Sequence, residues 1–102
     1  MLGWFATGPN FLSAQTHSAI TPAPRPDEGS KRRFEQLNER VKAAAGNVDL
    51  AFVGDSITQG WEGNGAKDVW QKYYGSRKAI NLGIGGDRTQ HVLWRLDHGN
   101  LD

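Results

Sequence analysis

Val48-Asp49-Leu50-Ala51-Phe52-Val53-Gly54-Asp55-Ser56-Ile57-Thr58-Gln59-Gly60 is the stretch around which the chain is organised. Leu50 to Val53 is an unbroken apolar run of strand length with β-branched and aromatic members, the pattern of a parallel strand buried on both faces. The run stops at Gly54-Asp55-Ser56, which places Ser56 just beyond a strand's carboxyl end. In open α/β sheets ligands bind there, because backbone N–H groups and helix starts converge on a rigid platform. Ser56 is therefore a candidate site residue, although a Gly-Asp-Ser triplet also serves as a plain turn former.

A second stretch, Ala79-Ile80-Asn81-Leu82-Gly83-Ile84-Gly85-Gly86-Asp87, continues through Arg88-Thr89-Gln90-His91-Val92-Leu93-Trp94-Arg95-Leu96. Lys78 to Leu82 reads as another buried strand, Gly83 to Gly86 as a tight glycine turn, and Thr89 to Leu96 as an amphipathic helix burying Val92, Leu93 and Leu96. Glycines at such a turn let backbone approach a ligand closely and present an N–H outward. Together the two stretches resemble the first two sequence blocks of the GDSL, or SGNH, hydrolase family. The second block is most similar to the branch formed by the catalytic subunits of platelet-activating factor acetylhydrolase.

The resemblance implies a flavodoxin-like three-layer α/β/α parallel sheet. It also implies a serine esterase or lipase-type hydrolase of small acyl esters, acetyl esters first among them, working through an acyl-Ser56 intermediate without a cofactor. By motif, Ser56 is the nucleophile and an oxyanion donor through its own N–H, and the Gly86 N–H is a second donor. A hydroxyl is a poor nucleophile at neutral pH, so this chemistry needs a base and prepositioned oxyanion donors. The family's later blocks, a Gly-x-Asn that adds a third donor and an Asp-x-x-His that supplies the base and its partner, have no counterpart before Asp102. The resemblance covers about Val48 to Leu101, the opening part of the family's domain. The expectation is an incomplete fold, an N-terminal portion that alone is inactive.

The rest of the chain is consistent with that reading. Its 102 residues, net charge of +1 and 37% hydrophobic content bound it to one soluble domain at most. A strand with its crossover helix takes roughly 30 residues, so a complete doubly wound domain needs more chain. No cysteine is present, which removes disulfides and thiolate metal sites, and no cluster has metal-ligand spacing. The six basic residues from Arg25 to Lys42 are offset by Asp27, Glu28, Glu35 and Glu39, which argues against a nucleic-acid surface. Gly83-x-Gly85 lacks the third glycine of a dinucleotide fingerprint, since Arg88 stands there, and no phosphate-loop Lys-Ser/Thr follows.

Residues 1–30 read as a flexible tail or linker, with Pro22, Pro24 and Pro26 alternating, and residues 31–102 as the folded portion. No stretch is long enough to span a membrane. The start lacks the basic n-region and unbroken apolar core of a secretory signal, and Leu12-Ser13-Ala14-Gln15 has only a faint cleavage-site pattern. Export and a cytoplasmic location both stay open, as does oligomeric state. From Lys31 a helix is expected, with Phe34, Leu37, Val41 and Ala44 on its apolar face, Ser30 as cap and Gly46-Asn47 as its left-handed end. Gln59 to Gly65 reads as a mobile loop in which Trp61 either lines an acyl pocket or covers the loop. Ala66 to Tyr74 reads as a helix ending at Gly75, with Val69, Trp70 and Tyr73 inward.

Two alternatives to the family's chemistry are visible in the residues. Asp87 and His91 stand four apart, where Asp87 could orient His91 toward Ser56; the reading preferred over this is His91 as a helix residue bonding locally or to a partner. His98 follows Asp97 at a polar helix end, and His17 lies in the tail. A non-catalytic α/β fragment, or a module binding an acyl or sugar ligand at the same strand ends, would carry Ser56 only as a turn former.

Overall fold

A computed structural model describes residues 17–101. Residues 1–16, where the faint cleavage-site pattern is expected, lie outside it. The fold is mixed α/β. Helix α1 (Glu28–Ala44) leads to strand β1 (Leu50–Gly54), the short helix α2 (Ser56–Gln59), helix α3 (Ala66–Tyr74), strand β2 (Ala79–Gly83) and helix α4 (Thr89–Leu96). One-turn 3-10 segments at Ser18–Ile20 and Gly60–Glu62 complete the elements.

β1 and β2 pair in parallel, with Leu50 opposite Ala79 and Gly54 opposite Gly83. Alternation along the strands sends Ile80 and Leu82 to one face, where Leu37 of α1 meets them and Phe34, Val41 and Val48 pack around. Phe52 points to the other face and meets Trp70 and Tyr74 of α3 edge-on, at ring-centroid distances of 4.9 and 5.0 Å. Trp94 of α4 packs on Phe34 of α1, at 5.2 Å. Helices thus lie on both faces of a parallel sheet, as a strand–helix–strand chain order dictates.

The two outer margins of this sheet differ. Ile84 N–H donates to Gly54 O across the ladder, so the even-numbered residues of both strands face each other and Asn81 and Gly83 turn their backbone outward. There Arg40 Nη1 donates to Asn81 O at 3.0 Å, Arg33 Nε donates to Gly83 O at 3.0 Å, and Gly83 N–H donates to Asn81 Oδ1 at 2.9 Å. Side chains have taken the positions that another strand would need. The outer margin of β1 has no such cover among the described residues.

Several expectations are corrected. β1 is not buried on both faces: its residues alternate, and Ala51 and Val53 are exposed because α1 lies over β2 rather than over them. β2, by contrast, is buried from Ile80 onward. Helix α1 starts three residues earlier than Lys31, because Asp27 rather than Ser30 caps it, accepting from the Ser30 N–H at 3.0 Å and the Ser30 hydroxyl at 2.7 Å. Those bonds hold the Asp27 carboxyl below its ordinary range. The proline-rich segment before it is extended, yet Ala23 N–H donates to Gln90 O and Arg25 reaches the body at Gly85 and Asp87. α3 spans the expected residues, but its inward face is Trp70 and Tyr74, leaving Val69 and Tyr73 exposed. The expected loop from Gln59 begins as α2 and a 3-10 turn, since the Asp55 cap starts a helix there. No helix of the described residues is long and apolar enough to cross a membrane.

Candidate active site

Beyond Gly54 the chain turns at Asp55, whose Oδ1 accepts the Ile57 N–H at 3.0 Å and so starts α2 at Ser56. The first residue of a helix has no intrahelical acceptor for its N–H, which leaves the Ser56 amide available. The Ser56 side chain is exposed at the carboxyl end of β1.

The glycine turn lies beside it. Asp87 N–H donates back to Ile84 O at 3.2 Å, and Gly86 sits at φ +84°, a conformation that favours glycine over any residue with a β-carbon. Gly85 is the point of contact: a β-carbon there would stand 3.6 Å from Ser56 Cβ. Its N–H is taken by Gln59 Oε1 of α2 at 2.6 Å. The Gly86 N–H donates to no backbone or side-chain acceptor among the described residues. The structure therefore brings the turn that carries Gly86 alongside Ser56. An open hollow of about 540 Å³ bounded by Gly54, Asp55, Asp87, Arg88, Thr89 and Val92 adjoins these strand ends.

Behind the turn is a charged assembly with no periodic signature in the sequence. Asp87 is buried and accepts from two arginines, Arg25 Nη1 on Oδ1 at 3.0 Å and Arg95 Nε on Oδ2 at 2.7 Å. Arg95, 2% exposed, also donates to Leu82 O and to Asn100 Oδ1, each at 2.7 Å, and to Gly54 O at 3.0 Å. The one hint in the sequence was an arginine among Val92, Leu93 and Leu96 on a helix expected to bury that face; those three are half-buried, and Arg95 is the buried member.

Asp87 therefore does not orient His91. That imidazole bonds locally, its Nδ1 accepting the Arg88 N–H at 2.9 Å at the start of α4. His17 Nδ1 accepts the Ala19 N–H, and the His98 ring stacks on Trp94 at 4.0 Å. Each of the three histidines is thus engaged within its own segment. Trp61 packs against Trp70 and Tyr74, both at 6.1 Å, and so covers α3. Next to it, Glu62 is bidentate to Arg33 at 2.9 and 2.8 Å and also accepts from Arg40 at 2.7 Å. Burial pushes the Glu62 carboxyl up, but the hydrogen bonds and charges of the two arginines outweigh this and hold it at about 2. Among the described residues no group of three His, Asp or Glu side chains is disposed to hold a metal ion.

No protein-family model matches the chain. Among curated proteins it is similar to the platelet-activating factor acetylhydrolase IB subunit alpha1 of Homo sapiens, 34% identical over 93 residues, which is 89% of this chain and 39% of that subunit. The alpha2 subunit of Rattus norvegicus is 37% identical over 86 residues, 83% of this chain and 36% of the subunit. The chain spans less than two fifths of the length of these relatives. Over most of its own length it is homologous to proteins named acetylhydrolase subunits, which relates it to hydrolases.

Proposed function

We propose that this chain carries the nucleophile and two oxyanion donors of a GDSL/SGNH-type serine esterase acting on small acyl esters, acetyl esters first among them. The observation that supports this best is the exposed residue Ser56 at the end of β1, its Cβ 3.6 Å from where a β-carbon on Gly85 of the glycine turn would stand. The acetyl preference rests on the names of the relatives. In this reading the sheet continues into a flavodoxin-like three-layer fold.

In the reaction Ser56 Oγ attacks the ester carbonyl carbon while a base takes its proton. The carbonyl π electrons move to oxygen, and the Ser56 and Gly86 N–H groups stabilise the oxyanion where it forms. Collapse expels the alcohol, which leaves with the proton that the base returns; water then hydrolyses acyl-Ser56 by the same steps. The base and a third donor belong to the family's Asp-x-x-His and Gly-x-Asn blocks, outside these residues. The histidines described here are occupied elsewhere, so none is assigned the task.

The test is covalent labelling of the full-length protein with a fluorophosphonate, with the adduct located by peptide mass. Modification at Ser56, lost in Ser56→Ala together with hydrolysis of p-nitrophenyl acetate, is the expected result. A protein that binds acyl ligands yet leaves Ser56 unlabelled is a binding module, and the esterase reading fails.

A further inference from the structure

We infer that Arg95 is a positioning residue for the reaction proposed above, setting the distance between the Ser56 turn and the Gly86 turn. The inference rests on the reading of Ser56 as nucleophile. Arg95 touches neither Ser56 nor a substrate position; it acts through the backbone on which both sites are mounted.

Four of its hydrogen bonds carry the argument. Nη2 donates to Gly54 O, two residues before Ser56, at 3.0 Å. Nε donates to Asp87 Oδ2, one residue after Gly86, at 2.7 Å. Nη1 bonds Leu82 O on the neighbouring strand and Asn100 Oδ1, and Asn100 Nδ2 in turn donates to Asn38 Oδ1 of α1 at 2.6 Å. One planar guanidinium thus spans the end of β1, the end of β2 and the residue that closes the glycine turn. Five N–H donors in a fixed fork make this possible, and an ammonium on a flexible stem cannot reproduce it.

The energetic reason for such an arrangement is specific. Buried charges are costly unless paired and fully hydrogen-bonded, and an apolar side chain of similar volume often serves stability as well or better. Arg95 and Asp87 are 2% and 8% exposed, so the pair is buried. What an apolar replacement cannot do is fix two carbonyls and a turn at set angles. Oxyanion donors need that order of placement, because a shift of about 1 Å at a reacting centre costs roughly 100-fold in rate. Arg25 reinforces the pair from outside: it holds the second Asp87 oxygen and Gly85 O, the latter at 2.9 Å, across the glycine turn.

The experiment compares Arg95→Lys with wild type in the full-length protein, titrating active sites with a fluorophosphonate and measuring p-nitrophenyl acetate hydrolysis per titrated site. Val41→Ala, which trims the packing around the core, is the control for a loss of stability alone. The expected result for Arg95→Lys is a kcat per site lowered about tenfold or more, with KM changed less than about twofold and the pH midpoints of kcat/KM unmoved. Val41→Ala should lower Tm and keep kcat. Should Arg95→Lys fail to fold, Asp87→Asn keeps the side chain's shape and gives the same comparison with the same expectation. An unchanged kcat per titrated site, with only fewer sites or a lower Tm, overturns the inference while leaving the esterase reading intact. Absence of Ser56 labelling in the wild type overturns both.

Discussion

A β-carbon placed on Gly83 would overlap the amide nitrogen of Gln59 and stand 2.9 Å from the Asp55 carbonyl oxygen. The end of β2 and the turn of α2 with its Asp55 cap therefore touch backbone to backbone, which is how the Ser56 turn and the glycine turn come to share one surface. Gly83→Ala must push two main-chain segments apart, since no flexible side-chain end is available to yield. The expected cost is about 1–3 kcal/mol, the range for forced overpacking. Chemical denaturation of the full-length protein measures it. The same variant should lose Ser56 labelling to a greater extent than Gly60→Ala, whose added β-carbon meets nothing within 4 Å at a φ of -58°.

Gln59 holds the turn from the other side. Its Oε1 accepts the Gly85 N–H at 2.6 Å, and Gln59→Leu keeps the volume while removing the acceptor. The half-buried amide then lacks a protein partner, a loss of about 1 kcal/mol. Amide exchange at Gly85 should accelerate in the variant. Exchange at Leu82, inside the ladder, should stay as slow as in the wild type.

The arginine clamp on Glu62 gives stability a defined pH dependence. The folded carboxyl titrates at about 2 against an ordinary 4.5. A depressed folded pKa means that the unfolded chain binds a proton first, so the contribution is fully present above pH 4.5 and fades as pH falls from there toward 2. Glu62 is partly exposed, and solvent screening limits the effect to about 1 kcal/mol. Glu62→Gln should lower Tm at pH 7 and flatten the slope between pH 4.5 and 2. A slope over that window identical to the wild type's would remove the clamp from the account.

Much of this layout is legible in the chain. Ala66–Tyr74 and Thr89–Leu96 match their sequence bounds because apolar spacing and the flanking glycine at Gly75 are local signals. The parallel pairing of β1 and β2 follows from strand, helix, strand order. What stays hidden depends on long-range partners. Arg25 and Asp87 are 62 positions apart, and nothing near Arg25 distinguishes it from a solvated linker residue. Val69 and Tyr73 satisfy the helical period as well as Trp70 and Tyr74 do, and only the position of Phe52 selects between the two faces. The placement of Ser56 beside Gly85 was implicit in the two strand ends, whereas the Arg95 fork that joins them had no motif to announce it.

The 102-residue chain by itself should be loosely packed. Among the described residues the buried apolar side chains are Leu37, Ile80, Leu82 and Ile84, whereas Ile57 is 82% exposed, Tyr73 58%, Leu101 55% and Val69 43%. A chain of this size has little margin between apolar burial and conformational entropy, and each large apolar side chain left in water forgoes about 1.5–3 kcal/mol of burial. The margin of β1, open among the described residues and with Val53 and Ala51 exposed beside it, adds a surface prone to association. The isolated chain is therefore expected to bind ANS, to show weak near-ultraviolet circular dichroism and to melt without a sharp transition. Its far-ultraviolet signal should persist, because α1 has its own cap at Asp27 and core contact at Leu37. A sharp cooperative melt with no ANS binding would show that these few contacts suffice, and that the exposed apolar face costs the chain nothing in solution.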